Sequence, residues 1–78
     1  MENLKTGDKY KHYKNQDHFY EIIGVAFDSE TLKEMVIYKA LYEIKDFGMG
    51  TLWARPKEIF LGTVIVDGKE IKRFEKVN

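Results

Sequence analysis

Glu34-Met35-Val36-Ile37-Tyr38-Lys39-Ala40-Leu41-Tyr42 is almost continuously apolar, broken after its opening glutamate only by Lys39. As a helix capped by Asp28 or Ser29, the segment would line Leu32, Met35, Val36, Ala40 and Ile44 along one stripe. As a strand, Val36, Ile37, Tyr38 and Tyr42 suit a pleated, half-buried surface. Neither period dominates, so the residues alone leave both forms open. In the strand form Tyr38 and Tyr42 share a face, two positions either side of Ala40. A shallow slot between two tyrosines would admit a planar group.

The flanking sequence reads as β. Upstream, Phe19-Tyr20-Glu21-Ile22-Ile23-Gly24-Val25-Ala26-Phe27 is rich in aromatic and β-branched residues, and its glycine predicts a bulge. Asp28-Ser29-Glu30-Thr31 closes that strand. Further upstream, Gly7-Asp8 launches a first strand over residues 9–14, and Asn15-Gln16-Asp17 reads as the turn after it. Downstream, Phe47-Gly48-Met49-Gly50-Thr51 reads as a loop tip and Leu52-Trp53-Ala54-Arg55 as its return strand. Pro56 holds Arg55 extended and suits the start of one helical turn ending at Phe60. Residues 63–66 and 71–74 form a last hairpin about Asp67-Gly68. Short strands with turns every 8–12 residues predict a small barrel or sandwich.

Composition bounds the rest. Seventy-eight residues hold one domain, spanning 1–78 without a linker, and leave a thin stability margin. Cysteine is absent, which excludes disulfides and thiolate zinc sites. His12 and His18 are too few for a His-rich metal centre, and no motif asks for a cofactor. Five Phe, five Tyr and one Trp are the apolar substitute for covalent staples. Thirteen basic and thirteen acidic residues cancel, so the broad positive field of a dedicated nucleic-acid binder is missing. No apolar run reaches membrane-spanning length, and Met1-Glu2-Asn3-Leu4-Lys5 has no hydrophobic signal core, so a cytoplasmic protein is expected.

Several pieces together resemble a known family. They are Gly7-x-x-Tyr10-x-His12-Tyr13-Lys14, Tyr20-x-Ile22, Ala26-x-x-Ser29-Glu30-Thr31 and Val36-x-Tyr38-x-Ala40-Leu41-Tyr42. Trp53-x-Arg55-Pro56, Phe60, Gly68 and Arg73-Phe74 continue the series. In this order they resemble the bacterial family called domain of unknown function 1653. The resemblance implies a mainly β fold, a small single-domain SH3-like β-barrel of five or six short strands with one helical turn near Pro56 to Phe60. It also moves residues 34–42 toward strand, with Ser29-Glu30-Thr31 in the connection. Two departures fall in loops: Asn15 replaces an expected glycine, and residues 15–19 and 43–52 are longer than the family pattern suggests.

Candidate ligand contacts are His12, Lys14, Glu30, Tyr38, Tyr42, Trp53 and Arg55. Aromatic rings beside an arginine are how small barrels hold bases, methylated ammonium groups or peptides. Each also has a structural reading: Tyr38 and Trp53 as core, and Glu30 with Arg55 as an ion pair fixing the hairpin. Lys9, Lys11 and Lys14, interleaved with aromatics, and Arg73 near the C-terminus form a weak nucleic-acid strip, or equally the solvated lysines of an edge strand. No residue is assigned a catalytic role. These features predict a binding module whose partner is a nucleic acid, a modified base or another small ligand. Two alternatives stay open. One is a small enzyme with His12 as base, assisted by Glu30 or Lys14. The other is a homodimeric adaptor using the apolar loop from Phe47 to Trp53.

Overall fold

The computed structural model describes residues 4–77, the Gln16 side chain excepted; residues 1–3, part of the segment expected to lack a signal core, lie outside them. The chain is mainly β, and the ambiguous segment is a strand. Among the described residues nine strands form: β1 (Lys9–His12), β2 (Asn15–Phe27), β3 (Glu34–Ala40), β4 (Glu43–Ile44), β5 (Gly48–Met49), β6 (Leu52–Pro56), β7 (Thr63–Val66), β8 (Lys69–Lys72) and β9 (Phe74–Lys76). A single helical turn, α1 (Lys57–Phe60), follows β6. Pro56 precedes that turn as its cap and ends β6, so its fixed φ and missing N–H serve the junction between strand and helix.

Asp28 explains why the middle segment pleats. Instead of capping a helix, its Oδ1 accepts the N–H groups of Glu30 at 2.8 Å and Thr31 at 3.2 Å. These bonds fold a local turn that sends β3 back along β2. They also hold the Asp28 carboxyl below its ordinary pKa. The two strands pair from Tyr20↔Ala40 to Phe27↔Glu34, and the register shifts between Ile22 and Gly24. The bulge expected from Gly24 is therefore present. Ile23 is its extra residue, and Val25 consequently lies opposite the buried Val36.

Five strands build an antiparallel sheet in the order β6-β3-β2-β1-β9, and β4-β5 and β7-β8 are separate hairpins. Asp67 and Gly68 both carry positive φ, as the tight turn between β7 and β8 demands. Three places differ from expectation. The first turn is Tyr13-Lys14, and Asn15 already belongs to β2. Residues 43–49 form a two-stranded hairpin instead of a plain loop tip. The return strand expected over residues 71–74 divides into β8 and β9 at Arg73, so the chain can leave the hairpin and join β1.

The sheets do not close into a barrel, since β6 and β9 remain edges. Side chains span the gap between them. Phe60 from α1 stacks on Phe74 from β9 at 4.2 Å between centroids, and meets Tyr10 and Tyr38 at 5.3 Å each. With Tyr20, Ile22, Val36 and Ala40 these rings make the buried core. The opposite face of the sheet carries cross-strand ion pairs, Lys39–Glu21 at 3.8 Å and Lys11–Glu75 at 3.3 Å. Each such exposed pair contributes about 0.2–1 kcal/mol, so the aromatic core dominates stability.

Candidate functional site

Cross-strand pairing decides which side chains meet at the concave face. Val36 lies opposite Arg55 and Tyr38 opposite Trp53, so both β6 residues share the face on which Val36 and Tyr38 are buried. His12 pairs with Phe74 across β1 and β9 and touches its ring edge-on at 5.0 Å. From the other sheet edge Arg55 reaches over the same ring, its Cζ 5.3 Å from the centroid. Phe74 thus receives a cation from one edge and an imidazole from the other.

The slot expected between Tyr38 and Tyr42 is filled by the chain itself. Tyr20 stands opposite Ala40 and packs edge-on against Tyr38 at 5.2 Å and Tyr42 at 5.6 Å. The hydroxyls of Tyr20 and Tyr42 share a hydrogen bond of 2.7 Å. His18 stacks on the Tyr42 ring at 3.8 Å and 14°. Burial, then the Tyr42 hydrogen bond, pushes the Tyr20 hydroxyl well above its ordinary pKa, so it stays protonated. Tyr38 is 3% exposed and belongs to the core; burial raises its pKa against the opposing pull of the nearby Arg55. Trp53, by contrast, is 37% exposed at the rim, edge-on to Phe47 at 6.0 Å.

The electrostatics of this mouth are one-sided. The protonated form of His12 is disfavoured first by burial and then by Arg55, Arg73, Lys14 and His18, all of them basic groups. Its Nδ1 accepts the backbone N–H of Lys14 at 3.2 Å, which suits a neutral ring with the proton on Nε2. Arg55 and Arg73 are the only arginines in the chain, and no ion pair engages either among the described residues. The Nε of Arg73 is buried without a hydrogen-bond partner among the described residues. The chain's charge sums to zero, yet Lys11, Lys33, Lys39, Lys57 and Lys76 take up carboxylates elsewhere while Arg55 and His12 meet at the Phe74 ring.

His12, Lys14, Tyr38, Tyr42, Trp53 and Arg55 therefore belong to one region, with Lys14 in the exposed turn at its lip. Glu30 does not join them. It lies in the β2–β3 turn, at the opposite end of β2 from His12, and among the described residues no ion pair joins it to His12 or Arg55. Of the basic strip, Lys9 and Lys11 sit opposite Glu21 and Glu75 on adjoining strands, and Arg73 lies in the break between β8 and β9, next to Phe74. His18 was not singled out because β2 was expected to begin at residue 19, and Tyr20 was read only as a residue of that strand. The alternation His18-x-Tyr20-x-Ile22, extended back to Asn15, was the available signal.

A shallow groove of ≈ 570 Å³ lies elsewhere, between the β2–β3 turn and α1, lined by residues such as Phe27, Leu32, Pro56 and Leu61. Its basic groups are already matched, Lys57 with Glu34 at 3.4 Å and Lys33 with Glu58 at 3.9 Å. None of His12, Trp53, Arg55 and Arg73 lines it. Among the described residues no group of three or more His, Cys, Asp or Glu could hold a metal, and no helix is long and apolar enough to cross a membrane.

The depressed basicity of His12 gives a stability prediction. Its folded-state pKa lies below the unfolded value of about 6.5, so above that pH both states are neutral and stability is full. As pH falls below about 6.5 the unfolded chain binds the proton first, and stability declines until the folded-state pKa is passed. Thermal melts at pH 7.5 and 5.5 should show a loss on acidification that His12→Gln diminishes; equal slopes in the two proteins would assign the loss to other groups.

No curated protein and no solved structure matches the chain. Residues 8–76 match the family model described as protein of unknown function (DUF1653), and by that match the chain belongs to this family.

Proposed function

We propose that this protein is a small cytoplasmic binding module that receives an anionic group at the mouth between β6 and β9. One observation carries the reading: Arg55 and His12 come from different strands to the same Phe74 ring, at 5.3 and 5.0 Å, and no ion pair engages Arg55 or the adjoining Arg73 among the described residues. Gathering like charges costs free energy in the free protein, and an arriving anion removes that cost. Arginine suits the role because its rigid fork matches phosphate and carboxylate oxygens. Within the nucleic-acid reading, a single anionic group is favoured over a long strand. Lys9 and Lys11, which would track a backbone, face Glu21 and Glu75 instead.

Inorganic phosphate titrated at low salt, followed by NMR of the histidine rings and arginine side chains, tests the proposal. Shifts should concentrate at His12, Arg55 and Arg73, raise the His12 pKa and weaken with added chloride. Arg55→Met should reduce phosphate affinity about tenfold, a loss of ~1.4 kcal/mol. Shifts spread evenly over the exposed lysines, or no shift at low salt, would refute it.

A further inference from the structure

Beside the basic mouth stands one aromatic surface that the core leaves unfinished. Trp53 is the only tryptophan in the chain and is 37% exposed. It is two residues from Arg55 on β6 and shares its face, since Trp53 lies opposite Tyr38 and Arg55 opposite Val36. Residues two apart on a strand are separated by about 6.5 Å, comparable to the span from a nucleoside's base to its 5′-phosphate. The other aromatic surfaces of the mouth are occupied: Tyr42 by His18, Tyr20 by Tyr42, and Phe74 by Phe60 and Arg55. Phe47 meets Trp53 only edge-on, at 69°, which is not the parallel stacking a base would make.

Resting on the anion-binding reading above, we infer that the ligand is a nucleoside monophosphate unit, its phosphate held by Arg55 with His12 and Arg73 and its base stacked on Trp53. The pairing of a fork-shaped cation with a half-exposed indole on one face supports this over a bare inorganic anion, which has no use for the ring. Phosphate carries close to two negative charges near neutrality, which suits a mouth with two unmatched guanidinium groups. Arg73, next to Phe74 in the chain, is likewise without an ion pair among the described residues and adds a second cation. Stacking needs no particular base edge, so the site discriminates nucleotide from phosphate more strongly than adenine from other bases.

Because Trp53 is the sole indole, its fluorescence reports on this site alone. The full chain is titrated at low salt with adenosine monophosphate, inorganic phosphate, adenosine and a 5′-phosphorylated dinucleotide. Adenosine monophosphate should quench Trp53 and bind about tenfold more tightly than phosphate, the gain expected of one stacked base. Adenosine should bind at least tenfold more weakly than its monophosphate. Trp53→Leu, with the fold verified by circular dichroism, should reduce nucleotide affinity to the level of phosphate while leaving phosphate binding intact. Equal affinity for free nucleotide and dinucleotide would identify a free nucleotide as the source, and tighter dinucleotide binding a nucleic-acid end; both support the inference. Equal binding of phosphate and nucleotide, without quenching, would overturn the stacking inference yet leave the anion site standing. Absence of binding by every probe would overturn both.

Discussion

Phe60→Ala is expected to remove most of the stability of this domain. Phe60 is 1% exposed and touches Tyr10, Tyr38 and Phe74, joining α1 to both halves of the open sheet. Truncating a buried phenylalanine costs about 3–5 kcal/mol. A domain of this size has only about 4–12 kcal/mol in total, taking about 0.05–0.15 per residue. No ladder hydrogen bonds join β6 to β9, so the cavity opens where the backbone gives least support. Thermal denaturation should show a midpoint lowered by more than about 10 °C, or no cooperative transition at all. Phe47→Ala, at a 67% exposed ring, should change stability by no more than about 0.5 kcal/mol. Similar midpoints for the two variants would show that the aromatic plug does not hold the sheet edges together.

The second large effect lies at Gly62, just past α1. A Cβ there would stand 3.0 Å from the carbonyl oxygen of Glu58 and 3.3 Å from that of Ile59. Both are backbone atoms of the turn, so relief requires the chain to move. Movement would disturb the carbonyl of Gly62, which accepts the Arg73 N–H at 3.0 Å and so ties α1 to the start of β9. Gly62→Val is expected to cost about 1–3 kcal/mol, and more if that tie breaks. Gly24 is the control. Its φ is not positive and a Cβ would meet nothing within 4 Å, so Gly24→Ala should be neutral or stabilise by up to about 1 kcal/mol through the unfolded chain. Chemical denaturation of both variants measures the contrast, and an equal loss in the two would show that the close approach at Gly62 is unimportant.

The bulge at Ile22/Gly24, the turn at Asp67-Gly68 and the helical turn after Pro56 were all legible in sequence, because each follows from what one or two residues permit the backbone to do. Residues 34–40 were not legible from periodicity, because a strand covered on one face and half-covered on the other shows little alternation. The family resemblance supplied what the period lacked. At the site, Arg55 and Trp53 were readable as neighbours on one face of one strand. Glu30 falls in the β2–β3 connection as the resemblance implied, but spacing along the chain does not say which distant residues that connection meets.

Local chemistry thus determined a cysteine-free, aromatic-rich β domain of one unit, its turns and its lack of any evident catalytic motif. The tertiary structure alone decided that the sheet stays open, that Phe60 fills the gap, and that Tyr20 occupies the slot between Tyr38 and Tyr42. It alone brought His12 and Arg55, from separate strands, to the Phe74 ring. The physical reason is that the meeting of residues 12, 55 and 74 depends on strand order and sheet curl, which are set by the packing of the whole core and by no short segment of it.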